Sequence, residues 1–140
     1  MPLISIRDIA KRFGPVEPLR GVSMDVAAGE KRVIIGPSGC GKSTLLRCVN
    51  LLERPDAGTV TVDAVDLTHA GADLHRLRSS TGMLSPRFHL FPHMRAWENV
   101  ALAPRLVRGL PPDAARARAL ETLGRVGLAD RAEEWPSRLS

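Results

Sequence analysis

Apolar and polar residues alternate at the start of the chain, with Ile4 and Ile6 separated by Ser5 and followed by Arg7, so residues 3–7 read as a strand. The run Lys11-Arg12-Phe13-Gly14-Pro15 breaks the pattern. Leu19, Val22, Met24 and Val26 mark a second strand-like stretch. The turn Ala28-Gly29-Glu30 then leads into Val33-Ile34-Ile35, an apolar run expected to be a buried strand. A helix is expected over residues 45–52, stopped by Pro55, and Gly58 to Asp63 is a β-branched strand. Residues 74–78 suggest a short helix, 81–84 a short strand, and 85–94, with Pro86 and Pro92, a loop. Two helices are expected next: 97–107, kinked or split at Pro104, and a second opened by Pro111-Pro112-Asp113. The second should run to Val126, with Leu120, Leu123 and Val126 on one face and Gly127 as its stop. A short helix at 131–135 precedes Pro136, and Trp97 and Trp135 are expected beneath short helices as core residues.

Composition adds bounds. A chain of 140 residues, 44% hydrophobic and 25% charged, suits one soluble globular domain with a modest core. The N-terminus lacks the basic start and apolar run of a signal peptide, and no charge-free stretch approaches a membrane span, so a cytoplasmic protein is expected. Two cysteines, Cys40 and Cys48, make no disulfide framework. The net charge of +5 raises nucleic acid as a partner, but arginine is spread along the chain without aromatic interleaving. An anionic lipid surface or a protein partner accounts for the bias equally well, and plain compositional drift toward arginine accounts for it best.

Candidate chemistry concentrates in Gly36-Pro37-Ser38-Gly39-Cys40-Gly41-Lys42-Ser43-Thr44, which matches G-x-x-x-x-G-K-[ST] at every fixed position. The glycines let the backbone curl so that successive N–H groups face a phosphate, and the helix beginning near Lys42 adds its positive end. Lys42 would reach the β- and γ-phosphates and the Ser43 hydroxyl would ligate Mg²⁺. A nucleoside-triphosphate site is therefore expected, on an α/β P-loop core with an antiparallel β subdomain before it.

The order of motifs resembles the ATP-binding subunit of ABC transporters from end to end. Residues 36–44 correspond to the Walker A loop, and Phe13, in Lys11-Arg12-Phe13-Gly14, to the aromatic that stacks on adenine. Leu51-Leu52-Glu53-Arg54-Pro55-Asp56-Ala57-Gly58-Thr59, and Phe88-His89-Leu90-Phe91-Pro92-His93-Met94 followed by Glu98-Asn99-Val100, are similar to the subfamily that imports polar amino acids. The resemblance implies ATP and Mg²⁺ as cofactors and hydrolysis coupled to transport. It implies transmembrane permease subunits and a second ATP-binding subunit as partners, with an external amino-acid-binding protein engaged indirectly. It places the protein on the inner face of the cell membrane. It divides the chain into a β subdomain and P-loop core (1–84), a loop region (85–94) and the start of a helical subdomain (95–140).

Two departures from the family pattern bear on activity. The glutamine expected to touch Mg²⁺ and the attacking water falls on Pro86, which has no side-chain amide and no N–H. The chain also stops at Leu139-Ser140, where the family continues into its signature, the Walker B aspartate, the catalytic glutamate and the switch histidine. The expectation is a truncated, catalytically impaired ABC ATPase domain, incomplete at its C-terminus. The alternatives are a non-catalytic nucleotide-binding or interaction fragment and a soluble ABC-type ATPase acting on nucleic acid. The loss would also leave residues 33–35 without a sheet neighbour, which predicts poor solubility. Weaker candidates are Asp63 as a substitute Walker B acid, His89 and His93 as metal ligands, and Phe88, Leu90 and Phe91 as a docking cluster for a membrane subunit.

Overall fold

The computed structural model describes residues 2–85 and 89–139, the side chains of Arg76, Leu77 and Ser80 excepted. Two compact units divide the chain, Met1–Gly82 and Met83–Ser140, each with its own core.

The first unit is built on a four-stranded antiparallel sheet of order β2-β1-β3-β4, comprising β1 (Ile4–Phe13), β2 (Val16–Val26), β3 (Ala57–Val62) and β4 (Val65–Asp66). β1 runs well past residue 7. A bulge allows this: Asp8 takes a φ of 49° where the register with β2 shifts between Ile6 and Ile9, and Ile9 is returned to the buried face. Ser23 Oγ accepts from the Asp8 amide at 2.8 Å and donates to Asp8 Oδ1 at 3.0 Å, which fastens the bulge to β2. On the other side, Gly58 has a φ of 88°, and a Cβ there would collide with the carbonyl oxygens of Arg7 and Asp8. Only glycine fits that approach.

Helix α1 (Lys42–Val49) presents Leu45 and Cys48, three residues apart, on one face. They join Ile6, Ile9, Leu19, Leu51, Val60 and Leu67 in the core. Full burial of an aliphatic side chain such as Ile9 or Val60 contributes about 1.5–3 kcal/mol. Burial also pushes the Cys48 thiol pKa up. Lys11 ties the sheet to the α1–β3 connection, pairing with Glu53 at 2.8 Å and Asp56 at 3.2 Å and donating to the Arg54 carbonyl at 2.8 Å. Helix α2 (Leu74–Ser80) lies where a short helix was expected.

Residues 33–35 do not form the expected buried strand. Val33 is 78% exposed and Ile35 87% exposed, and Ile34 alone packs against the core. An extended segment needs a neighbouring strand to pair its N–H and C=O groups, and among the described residues none lies beside it in the sheet. Residues 81–84 do not form the expected strand either, and Leu84 stays exposed.

The second unit is a hairpin of α3 (Ala96–Arg108) and α4 (Pro112–Arg125), joined by a three-residue turn. Helix α3 is not split at Pro104. It ends one turn later at Gly109, and the Gly109 and Leu110 amides return to the Pro104 carbonyl. The helices meet through Ala101, Ala115 and Ala119, small enough to bring the backbones close, with Leu123 buried further along. Leu120 and Val126 face outward, contrary to the face expected from the large apolar residues. Instead of a helix at 131–135 there are two 3₁₀ turns, Ala129–Arg131 and Pro136–Arg138. Trp97 packs between the helices as expected, but Trp135, between the turns, is exposed.

Candidate nucleotide site

The phosphate-type loop ends where α1 begins. Gly41 is the N-cap of that helix, with φ 99°, and its carbonyl accepts from the Leu45 amide at 2.8 Å. A Cβ on Gly41 would lie 2.6 Å from the Pro18 carbonyl oxygen and 3.1 Å from Leu19 Cδ2. The loop is thus seated directly on β2, and glycine is required both by φ and by space. Lys42 folds back across the loop, its Nζ donating to the carbonyl oxygens of Gly36 at 2.8 Å and Pro37 at 2.6 Å and lying 3.6 Å from Cys40 Sγ. Residues 36–42 are closed into a ring by that one side chain.

The donor set suits an anion. The first turn of α1 carries no acidic side chain, so its free N–H groups and positive end meet no competing carboxylate. Residues 36–40 are exposed, as is Ser43 in the first turn, while Thr44 is half-buried. Phe13 stands at the tip of the β1–β2 hairpin, paired with Val16 and 46% exposed. Its neighbour Lys11 pairs across the strands with Leu19, the residue that touches Gly41, so the aromatic lies about 7 Å further along the same end of the hairpin. The Lys11 ammonium sits 5.3 Å from the Phe13 ring centroid and steadies it by a cation–π contact. The structure therefore brings Phe13 and residues 36–44 to one end of the sheet.

Other candidates fall elsewhere. Asp63 and Ala64, with φ of 48° and 63°, make the β3–β4 turn at the opposite end of the sheet. Asp63 belongs to that turn and to an open groove of about 360 Å³ beside Pro2, Leu3 and Thr61, well away from the loop. His93 packs edge-on against Phe91, with ring centroids 5.9 Å apart. Among the described residues there is no cluster of three or more side chains able to hold a metal ion. Pro86, Arg87 and Phe88 lie outside the described residues.

Around residues 89–99, two side chains of the sequence motif hold the backbone. Asn99 Oδ1 accepts from the Phe91 amide at 2.8 Å, and its Nδ2 donates to the carbonyls of Phe91, Met94 and Arg95 at 3.0–3.2 Å. Glu98 accepts from the Arg95 amide at 2.6 Å and caps α3. Sequence reading missed two supports, Pro18 beneath Gly41 and Lys11 beside Phe13. A lysine two residues before an exposed aromatic was the only available sign of the second.

The family model described as ABC transporter matches residues 19–140, which includes the whole loop and helices α1 to α4. The chain belongs to the ABC transporter family. This ABC chain is 44% identical over 138 residues to the glutamine transport ATP-binding protein GlnQ of Escherichia coli (strain K12), and 41% identical over 138 residues to the arginine transport ATP-binding protein ArtM of Bacillus subtilis (strain 168). In both cases the match covers 99% of this chain and 58% of the relative, so the chain spans well under two thirds of their length. Among solved structures, it superposes on the ATP-binding cassette MJ0796, in a dimeric post-hydrolysis state bound to ADP and Pi, with a TM-score of 0.86 and 31% identity. That superposition covers 98% of this chain and 63% of the other. A second structure, cbiO1 from Clostridium perfringens, part of the ABC transporter complex cbiONQ, gives a TM-score of 0.79 at 25% identity, covering 99% of this chain and 56% of that one. The fold is accordingly the α/β P-loop fold of ABC ATPases, a family that binds nucleotide. Among the described residues no helix is long and apolar enough to cross a membrane.

Proposed function

We propose that this chain is the nucleotide-holding part of the ATP-binding, energy-coupling subunit of an ABC importer for polar amino acids. The observation that carries the reading is the loop itself: Gly41 seated on Pro18, and Lys42 drawn across residues 36–40 at the exposed start of α1. The glutamine, arginine and cystine transport names of the relatives support the substrate class. Permease subunits, a second ATP-binding subunit and a position on the inner membrane face are the corresponding partners and place. The division into residues 1–84, 85–94 and 95–140 belongs to the same proposal.

ATP with Mg²⁺, when bound, supplies the phosphoryl group and the metal charge that phosphoryl transfer requires. The residues of this chain do the holding. Backbone N–H groups of residues 38–44 and the positive end of α1 would meet the phosphates, and Lys42 would exchange loop carbonyls for phosphate oxygens. Ser43 offers its hydroxyl to Mg²⁺, and Phe13 offers a ring face for adenine. The second reading, nucleotide binding without turnover, is favoured by Pro86, which has no side-chain amide where the family has a glutamine.

Titration with a fluorescent ATP analogue, with and without Mg²⁺, tests both readings. The chain should bind, and Lys42→Ala should weaken binding by at least about tenfold through the loss of a charged phosphate contact. No binding by the parent chain would overturn the proposal. Phosphate release well above background that Lys42→Ala abolishes would sink the non-catalytic reading.

A further inference from the structure

Phe13 has little apolar support. Among the described residues it belongs to none of the buried clusters, and Val16, its partner across the hairpin, is itself exposed. A ring so placed at a hairpin tip is free to turn among its staggered rotamers unless something holds it. What meets its face is a cation, the Lys11 ammonium 5.3 Å from the ring centroid.

That ammonium is itself fixed. It lies 2.8 Å from Glu53 Oε1 and 3.2 Å from Asp56 Oδ1 and donates to the Arg54 carbonyl at 2.8 Å, one acceptor for each of its three N–H bonds. The Lys11 side chain is only 12% exposed. Hydrogen bonding to Glu53, and then to Asp56, raises its pKa against the pull of desolvation, so it stays charged at neutral pH. The backbone around it does not depend on this charge. The Asp56 amide donates to the Ala10 carbonyl at 2.9 Å, and Asp56 Oδ2 accepts from the Arg12 amide at 2.7 Å, so β1 stays joined to Asp56 without Lys11. The contact with the ring lies outside that tie. A fixed cation over one face of an aromatic ring draws π density toward itself and leaves the opposite face less negative. An electron-rich purine stacks better on a ring polarised in that way, and stacking of a base on an aromatic side chain is a large share of base affinity.

We propose that Lys11 is a positioning residue for base recognition: it holds the Phe13 ring by one face so that the other is presented to a purine. The proposal rests on the reading above, in which Phe13 receives adenine. Phosphate binding belongs to residues 36–44, so Lys11 acts on the adenine share of the affinity and not on the phosphate share.

Displacement of a ribose-labelled fluorescent ATP analogue from the 140-residue chain tests it, with ATP and inorganic tripolyphosphate as competitors, both with Mg²⁺. Lys11→Met should weaken ATP by about two- to fivefold, the worth of a half-exposed cation–π contact, and leave tripolyphosphate unchanged. Lys11→Arg, which keeps a cation within reach of the ring, should restore the ATP affinity. In a Phe13→Ala background, Lys11→Met should have no further effect on ATP. Equal weakening of ATP and tripolyphosphate, or the same loss with the ring already removed, would overturn the proposal, because a lysine that merely braces the sheet would act in those ways. Nuclear magnetic resonance of ring-labelled phenylalanine gives a readout without nucleotide. The Phe13 signals should move toward free-chain positions in Lys11→Met, and unmoved signals would also overturn the proposal. A parent chain that binds neither competitor would refute the nucleotide reading alone, and the ring signals would then decide this one.

Discussion

Replacing Ile35 by alanine separates the structure from the simplest reading of the sequence. Were residues 33–35 a packed central strand, the change would cost about 2–5 kcal/mol through lost transfer energy and a cavity. In the fold described above Ile35 is 87% exposed, so only about one-eighth of a burial worth roughly 1.5–3 kcal/mol is at stake, or about 0.3 kcal/mol. Ile9→Ala is the internal control, since Ile9 is fully buried and should lose the full 2–5 kcal/mol, roughly. Urea unfolding followed by far-ultraviolet circular dichroism reads the difference. With a slope of about 2 kcal/mol per molar, Ile9→Ala should lower the midpoint by about 1–2.5 M and Ile35→Ala by only about 0.15 M. Equal losses would show that residues 33–35 are packed after all, and the reasoning would fail. The exposed pair should instead govern solubility, and Ile35→Lys should reduce light scattering at constant stability.

Gly41→Ala should destabilise the first unit by about 2–4 kcal/mol, from a φ of 99° and a Cβ forced to 2.6 Å from the Pro18 oxygen. Calorimetry and ATP-analogue titration should both register it, and an unchanged melting temperature would mean the loop is not seated on β2 as described. Acid should destabilise the chain in a defined direction. Asp25 is held below the ordinary carboxylate range by the hydrogen bond from Arg7, Asp56 by the Arg12 amide and then Lys11, and Asp66 by Thr68, while at Glu133 desolvation is outweighed by hydrogen bonds from Arg116 and Trp97 and by the charges of Arg95 and Arg116. Their contribution is fully present above about pH 5 and is lost as pH falls through the depressed native values. Urea midpoints that stay level from about pH 7 to pH 3 would contradict this.

Much of the fold was legible because local signals agreed with tertiary ones. The loop at 36–44, the hairpin, the strand at Gly58 and the helices opened at residues 74 and 112 all follow from glycine, proline and β-branched patterning. What escaped was decided by partners far away in the chain. Apolarity at 33–35 says nothing about whether a strand lies alongside. The polar pair Arg7-Asp8 looks like the end of a strand until Gly58 makes room for a bulge. Ala115 and Ala119 carry too little hydrophobic weight to compete with Leu120 and Val126 in a pattern, although contact between α3 and α4 favours the smaller side chains. In the candidate site, the loop and Phe13 were visible as motifs. Their placement at one end of the sheet depends on the register of Lys11 with Leu19, which no motif encodes.

The strand order has a consequence for synthesis. β1 lies between β2 and β3, so it acquires one neighbour within a few residues of its own completion and the other only after Ala57–Val62 emerges. On the ribosome, at about 5–20 residues per second, the interval between Phe13 and Ala57 lasts several seconds. Throughout it, a bulged strand holding Ile6 and Ile9 has one edge open. The phosphate loop and α1 are made during that same wait, so the helix that will cover the sheet exists before the sheet is complete. A slowed codon run between residues 50 and 57 would prolong the open edge.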